Sequence, residues 1–385
     1  MKNYQVAEEI KLVFSGNDYF DVLEQIINDS RETLYLQTYI FESDATGIRI
    51  AEALKKAALR KVQVYMLVDA YGCYPFSKET EKGLTDAGVH FRLFSPLFSS
   101  ESGYFGRRLH HKIIVADKKT ALTGGINIAD KYSGINSEAA WLDYAILTKG
   151  DVCEYLHWLC DQFHRRGNSR QLNFFEKSLK PALNENHHLI RFRRNDWLKN
   201  RNEIYKSYVE AIISANDCIT IVASYFLPGN TIRKLLKSAS ARGVKINIIL
   251  AGQSDIPTLR LAEHFMYDFY LRNKINIFEW TNSVMHGKAM IVDNQWATVG
   301  SYNLNLLSHY VSVELNTDII DPGFLSQFNA HLQDIMHNNC HVINLKKTGN
   351  TAGVFKRFKM WIFYHFYRLV INAMMTGKKQ RKRKH

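Results

Sequence analysis

Residues 110–127 read HHKIIVADKKTALTGGIN, and residues 286–303 read HGKAMIVDNQWATVGSYN. The two stretches share one frame. His110, Lys112, Asp117, Gly124 and Asn127 of the first match His286, Lys288, Asp293, Gly300 and Asn303 of the second. Both obey H-x-K-x4-D-x6-G-x2-N without an insertion, and the frame selects His110 over His111 because Lys112 stands two after His110. One copy up to the glycine should arise by chance in on the order of one chain in several hundred, and two copies are far rarer. On a strand, residues i and i+2 share a face, so each His–Lys pair is expected to point one way. The runs IIVA and AMIV bury the strand, the aspartate leads into a turn, and a second strand ends at the glycine, where backbone can approach closely. Asn127 and Asn303 lie just beyond, placed for an amide hydrogen bond to a bound oxyanion.

Each motif is preceded by the same order of elements. LYLQTYIF (34–41) reads as a strand, a helical pattern runs from Ile48 to Arg60, and a second strand runs from Val62 to Val68 and ends in Asp69. ITIVASYFL (219–227), a helical pattern from Asn230 to Arg242 and a strand from Val244 to Ala251 repeat the plan. Strand–helix–strand alternation implies right-handed crossovers and a largely parallel, buried sheet in each half. The expected fold is α/β, with two pseudo-symmetric α-β-α sandwich halves, 1–175 and 176–345, and a basic amphipathic tail, 346–385. The join is expected near Gly167 to Asn186, where polar and turn-forming residues cluster. If the halves pack about a pseudo-twofold axis, two histidines, two lysines and two asparagines converge on one pocket.

Composition narrows the class. The chain has 385 residues, 46% hydrophobic and 23% charged, as in ordinary globular proteins, which excludes wholesale disorder. No run of about 18 uncharged apolar residues occurs, so a polytopic membrane protein is excluded too. The five cysteines form no CxxC pair, which argues against a disulfide framework or a zinc site and for a reduced compartment. MKNYQVAEEIKLVF at the start carries acids where an export signal would be apolar. The net charge is +13, yet residues 346–385 hold twelve Lys or Arg and no acid, leaving the rest at +1. A nucleic-acid partner is therefore not expected, because its basic residues would be spread over the body. Within the tail, Val354 to Met375 reads as a helix with a mostly polar stripe of Arg357, Trp361, His365, Arg368 and Asn372 on an otherwise apolar cylinder. GKKQRKRKH follows. Such a helix lies naturally in a lipid interface, with the basic end drawn to an anionic leaflet; burial against the body followed by a solvated end is the alternative.

Asp143, in WLDYAIL, and Glu314, in SVELNTDI, are acids inside apolar strand patterns. A lone carboxylate there is costly unless paired. A histidine Nδ1–H is the expected partner, which fixes the tautomer and frees Nε2. Two cations and two amides around two histidines make a receptor for phosphate. One neutral imidazole can attack phosphorus, and a protonated imidazole opposite can protonate the leaving oxygen. No acid cluster suited to a hard metal accompanies the motifs, so neither metal nor cofactor is expected. Eight histidines elsewhere, His157, His164, His187, His188, His264, His331, His337 and His341, carry no such pattern and are expected to be structural.

At these residues the chain resembles the phospholipase D superfamily, with its duplicated HKD motif, over about residues 10–345. Within it, ETLYLQTYIFESDATG, VDAYG and HGKAMIVDNQWATVGSYNLNLLSHYVSVELN resemble short bacterial cardiolipin synthases. The resemblance implies a phosphatidyltransferase of the cardiolipin synthase type. It would move the phosphatidyl group of one phosphatidylglycerol to a second and release glycerol, at the cytoplasmic face of the membrane. The alternatives are a hydrolytic phospholipase D with water as acceptor or another phosphatidyltransferase of the superfamily, and after these a nuclease or a non-catalytic membrane-binding protein. The resemblance implies His110, Lys112, Asp117, His286, Lys288, Asp293, Asp143 and Glu314 as catalytic residues, the acids at 143 and 314 as partners of the histidines, and a largely structural role for Asp117 and Asp293. Asn127, Asn303 and Ser301 are the expected phosphate-binding residues. The analogy favours His110 as nucleophile, which the residues themselves leave open. Gly125 departs from the pattern, since many members have Ser there, as Ser301 does in the second copy.

Overall fold

The computed structural model describes residues 3–96, 107–135, 139–165, 188–305, 308, 310–344 and 354–381. The expected join, Gly167 to Asn186, lies outside the described residues. One sheet has, in spatial order, Glu9–Phe14 (β2), Tyr144–Lys149 (β9), Thr120–Gly124 (β8), Ile113–Ala116 (β7), Thr33–Thr38 (β3), Gln63–Asp69 (β4) and His90–Phe94 (β5). The other begins with Gln5–Ala7 (β1), His188–Asp196 (β10), Ser312–Ile320 (β17), Trp296–Gly300 (β16) and Lys288–Val292 (β15). It continues with Cys218–Ala223 (β12), Lys245–Gln253 (β13), Ile275–Val284 (β14) and Cys340–Ile343 (β18). Arg201–Asn202 (β11) joins β10, and Arg108–Leu109 (β6) joins β17. Strands β10-β17-β16-β15-β12-β13-β14 repeat the order β2-β9-β8-β7-β3-β4-β5 position for position.

The sheets are mixed, not largely parallel. Within the seven-strand order that the two sheets share, only β3, β4 and β5, and their counterparts β12, β13 and β14, run parallel. The motif strands β7 and β8 are joined by a tight turn, which permits only an antiparallel pairing, and β9 and β2 continue in that sense. The strands β3 and β12 also stop at Thr38 and Ala223, short of the apolar runs that announce them. Tyr39 and Ser224 thus leave the ladder beside the motif histidines.

Helices Asn17–Asp29 (α1), Ala45–Leu59 (α2), Lys78–Asp86 (α3) and Asp130–Ser133 (α4) accompany the first sheet, and Cys153–His164 (α5) follows β9. Helix α2 starts where the Asp44 side chain accepts from Gly47 N at 2.9 Å, and it buries Ile50, Ala51, Leu54 and Ala57 at helical spacing. These pack with Phe20 and Leu23 of α1 on Leu34, Leu36, Val64 and Met66. Glu203–Ser214 (α6), Asn230–Ala241 (α7) and Pro257–Arg272 (α8) cover the second sheet in the same way. The inner faces of the two sheets share one core, in which Val115 and Tyr144 meet Ile291, Val299 and Leu315 with residues of α5 and of Pro322–Asn338 (α9). The last helix, Val354–Arg381 (α10), packs on α8.

The halves exchange chain at the axis. Strand β1 pairs with β10 (Gln5 opposite Ile190), and β6 runs parallel to β17 (Leu109 opposite Val313). His110 N donates to Val313 O at 2.9 Å, and His286 N donates to Leu142 O at 2.7 Å. Each motif histidine is therefore held by the residue that precedes the other half's acid.

The motif aspartates lie in the turns at the far ends of β7 and β15. Asp117 and Lys118 have φ of 50° and 59°, and Asp293 and Asn294 both have 52°, the pattern of a type I′ turn. Asp117 accepts from the amides of Arg31, Glu32 and Thr33, each at 2.8 Å. Asp293 accepts from Asn216, Asp217 and Cys218 at 2.8, 2.9 and 2.8 Å. Each carboxylate ties the hairpin to the start of the strand beside it, β3 or β12. Asp117→Ala should lower unfolding free energy by about 1–3 kcal/mol in urea titration while folded molecules keep their turnover. A loss of rate at unchanged stability would instead place Asp117 in the chemistry.

Candidate active site

The first histidine stands between β6 and β7, and the second between β14 and β15. Their carboxylate partners come from across the axis. His110 Nδ1 lies 2.8 Å from Glu314 Oε2, and His286 Nδ1 lies 2.7 Å from Asp143 Oδ2. Ionised, these carboxylates have no hydrogen to give, so each Nδ1 carries the proton and each Nε2 is left for chemistry. Neither half contains a complete pair.

Both lysines are buried in the same place. Lys112 Nζ donates to His110 O at 2.9 Å, and its ammonium lies 5.2 Å from the centre of the Tyr39 ring. Lys288 Nζ donates to His286 O and stands 3.8 Å from Asp143 Oδ2. Aromatic rings wall the imidazoles: Tyr39 at 4.9 Å from His110, and Tyr132, Trp141 and Tyr225 at 5.3, 6.2 and 6.4 Å from His286.

Burial sets the electrostatics. It pushes Lys112 down to about 7 and Lys288 down to about 8. It raises Asp143 to about 6. His110 is lowered by burial, against the pull of Glu314; His286 is lowered further, by burial and then by the Lys288 and Lys112 cations. At neutral pH both imidazoles are therefore neutral. The arrangement can attack a phosphodiester from one side and deliver a proton from the other once an anion has entered.

The remaining expected residues have definite positions. Asn127 accepts from Ile40 N at 3.2 Å and donates to Tyr132 Oη at 2.8 Å. Asn303 Oδ1 accepts from Ser224 Oγ at 3.0 Å. The Ser301 hydroxyl donates to Glu314 Oε2 at 2.5 Å, the same oxygen that receives His110. It holds the carboxylate in place. Gly124 and Gly300 make their close approach to the strands carrying the acids, where an added Cβ would stand 2.3 Å from Tyr144 O and 2.3 Å from Leu315 O.

Asp69, which the sequence reading took only as the end of a strand, positions the first histidine. Its Oδ2 accepts from Leu109 N at 2.7 Å, and its Oδ1 accepts from Tyr71 N and Gly72 N at 2.9 and 3.0 Å. An acid closing a buried parallel strand, where α/β folds bind ligands, was the available signal.

The Gly125 departure has a steric cause. A Cβ at 125 would lie 2.4 and 2.6 Å from the two Asp143 oxygens. The first half combines glycine with the short acid, and the second combines serine with the long one. Gly125→Ser should displace Asp143 and lower kcat about 100-fold, the scale of an ångström misplacement. Adding Asp143→Glu, which recreates the Ser301–Glu314 combination, should restore part of that loss in a double-mutant cycle. Strict additivity of the two losses would refute the steric account.

The comparisons with known proteins agree with this geometry. The family described as cardiolipin synthase, PLD-like domain, matches residues 23–157 and again 208–336. Cardiolipin synthase B of Escherichia coli K12 is 31% identical over 350 residues, 89% of this chain and 84% of that one. Minor cardiolipin synthase ClsB of Bacillus subtilis is 27% identical over 333 residues, 85% of this chain and 81% of its own. In fold, phosphatidylserine synthase of Haemophilus influenzae superposes with a TM-score of 0.75 at 15% identity, covering 98% of this chain and 97% of that one. Carrying one family match around each motif, the chain belongs to the cardiolipin synthase, phospholipase D-like family.

Proposed function

We propose that the protein is a cardiolipin synthase, a phosphatidyltransferase that moves the phosphatidyl group of one phosphatidylglycerol to a hydroxyl of a second. The crossed histidine–carboxylate pairs, with a buried lysine beside each, carry this reading. In the first step His110 Nε2 attacks phosphorus and the bond to the glycerol oxygen breaks. His286, protonated in the anionic complex, gives that oxygen its proton, and glycerol leaves. In the second step neutral His286 takes the proton of a phosphatidylglycerol hydroxyl. Its oxygen displaces His110, and the N–P bond breaks to give cardiolipin. Lys112 and Lys288 hold the phosphoryl oxygens as negative charge grows on them. The assignment of attack to His110 follows the analogy with single-chain relatives.

Purified protein with labelled phosphatidylglycerol vesicles should yield cardiolipin and glycerol. Phosphatidic acid as the main product would make it a hydrolytic phospholipase D. His286→Ala should accumulate a phosphohistidine and His110→Ala should form none, each losing several orders of magnitude in turnover. Label trapped only in His110→Ala would reverse the roles. The profile of kcat/KM against pH should be bell-shaped. It should fall below about 6, where Asp143 takes a proton and loosens His286, and above about 7, where Lys112 begins to lose its charge. A flat profile from pH 5.5 to 8.5 would remove both groups from the rate.

The same reading makes the enzyme peripheral on the cytoplasmic leaflet, with α10 as its anchor. No described helix is long and apolar enough to cross a membrane. One face of α10 is fixed to the body: Tyr364 packs on Phe265 at 4.7 Å and accepts from Arg233 at 2.9 Å, and Tyr367 bonds Thr258 at 2.8 Å. Another face leaves Phe355, Phe358, Ile362, Phe366 and Leu369 exposed, Phe355 at 70% and Leu369 at 67%. The expected polar stripe, Arg357, Trp361, His365 and Arg368, is exposed or half-exposed. Exposed aromatic side chains at helical spacing beside a basic end suit an anionic lipid surface. Replacing Phe358, Phe366 and Leu369 by Ser should abolish most co-sedimentation with phosphatidylglycerol vesicles at 1 M salt, where charge attraction is screened, with little change in thermal stability. Truncation after Gly377 should lose only the salt-sensitive part. Undiminished binding of the triple variant would put the anchor elsewhere.

A further inference from the structure

The pocket mouth is not symmetric. Beside His110, Arg108 lies over the Tyr71 ring at 5.0 Å. On the His286 side an acid reaches the pocket through Tyr225. Tyr225 follows β12, and its ring stands edge-on to His286 at 6.4 Å. Its hydroxyl donates to Asp255 Oδ1 at 2.5 Å. Asp255 is exposed, in the loop between β13 and α8, and its other oxygen has no hydrogen-bond partner among the described residues. The loop is pinned, since Ile256 N donates to Ser254 Oγ at 3.1 Å. The charge of Asp255 acts on both His286 and Lys288, raising each against the effect of burial.

A carboxylate facing a phosphate receptor repels the phosphate, so its use lies with another part of the ligand. The leaving and entering groups of a transfer between phosphatidylglycerols are polyols, and both must meet the histidine that handles the alcohol proton. We infer that Asp255, held by Tyr225, is a specificity-determining residue that accepts hydrogen bonds from the glycerol hydroxyls of the leaving and the entering headgroup beside His286. The inference rests on the transferase reading and on His286 as its acid and base. One subsite then serves both steps: glycerol vacates the place that the second lipid's headgroup takes. A carboxylate acceptor selects groups that donate, and an alcohol without extra hydroxyls leaves its oxygen unpaired.

The test is a partition. Full-length enzyme, phosphatidylglycerol in detergent micelles, and equal concentrations of labelled glycerol, 1-propanol and ethanolamine are mixed, and the exchanged lipids are counted. Their ratio does not depend on how much of a variant is folded. Wild type should favour glycerol over 1-propanol, and Asp255→Ala should reduce that ratio about 10- to 100-fold, as expected for a lost charged hydrogen bond. Tyr225→Phe, which frees the carboxylate but keeps the ring, should lower it less. An unchanged ratio in Asp255→Ala overturns the inference. Preference for ethanolamine in wild type overturns it as well, because the carboxylate would then be reading an ammonium. If wild type transfers to no alcohol, the transferase reading itself fails.

Discussion

Two hydrogen bonds across the pseudo-twofold axis, His110 to Glu314 and His286 to Asp143, are the constraint on which the rest of the molecule depends. Each demands that a strand of one half deliver an acid to a loop of the other within a few tenths of an ångström. The shared inner core, the parallel pairing of β6 with β17 and the reciprocal backbone bonds of the two histidines all hold that register. Asp69, Ser301 and Gly125 adjust it locally, the first through Leu109, the second through the carboxylate of Glu314, the third by leaving room for Asp143.

The charges at the axis follow a simple balance. Lys112, Lys288, Asp143 and Glu314 are all buried there. Buried ions are tolerable when paired, and this quartet sums to zero while both imidazoles are neutral. A phosphodiester brings one negative charge into that balanced set. The anion favours a proton on one imidazole, so in the proposed mechanism binding substrate also prepares the acid of the first step.

The sequence was informative wherever chemistry repeated. The two motifs singled out the histidines and lysines, the apolar runs before them gave the strand–helix–strand order, and the apolar strands after them pointed to the acids at 143 and 314. It was less informative about direction, because an apolar run reads alike in parallel and antiparallel strands; the short turns after Ala116 and Val292 decide the matter. The crossing of the pairs was not legible either. Asp143 follows His110 and Glu314 follows His286 in the chain, and only the packing of the halves exchanges them. Asp69 ends a strand of the repeated plan and Asp255 lies just past one, and the meaning of each comes from what lies opposite. Position did not show that the Ser301 hydroxyl donates to the Glu314 carboxylate. One face of the tail helix packs on the body, as in the alternative reading, and another leaves aromatic and aliphatic side chains exposed, a division that composition alone does not reveal.

Strand exchange also sets a timetable. Gln5 pairs with Ile190, and His110 waits for Glu314, 204 residues later. Contacts so distant in sequence form late. At ribosomal speeds of about 5–20 residues per second, the interval between His110 and Glu314 lasts on the order of ten to forty seconds. Through that time the growing chain carries a motif histidine without the acid that orients it. Reactivity toward phosphodiesters is thus withheld from every nascent or half-folded form, and the surrounding lipids meet an active catalyst only after the second half has closed on the first.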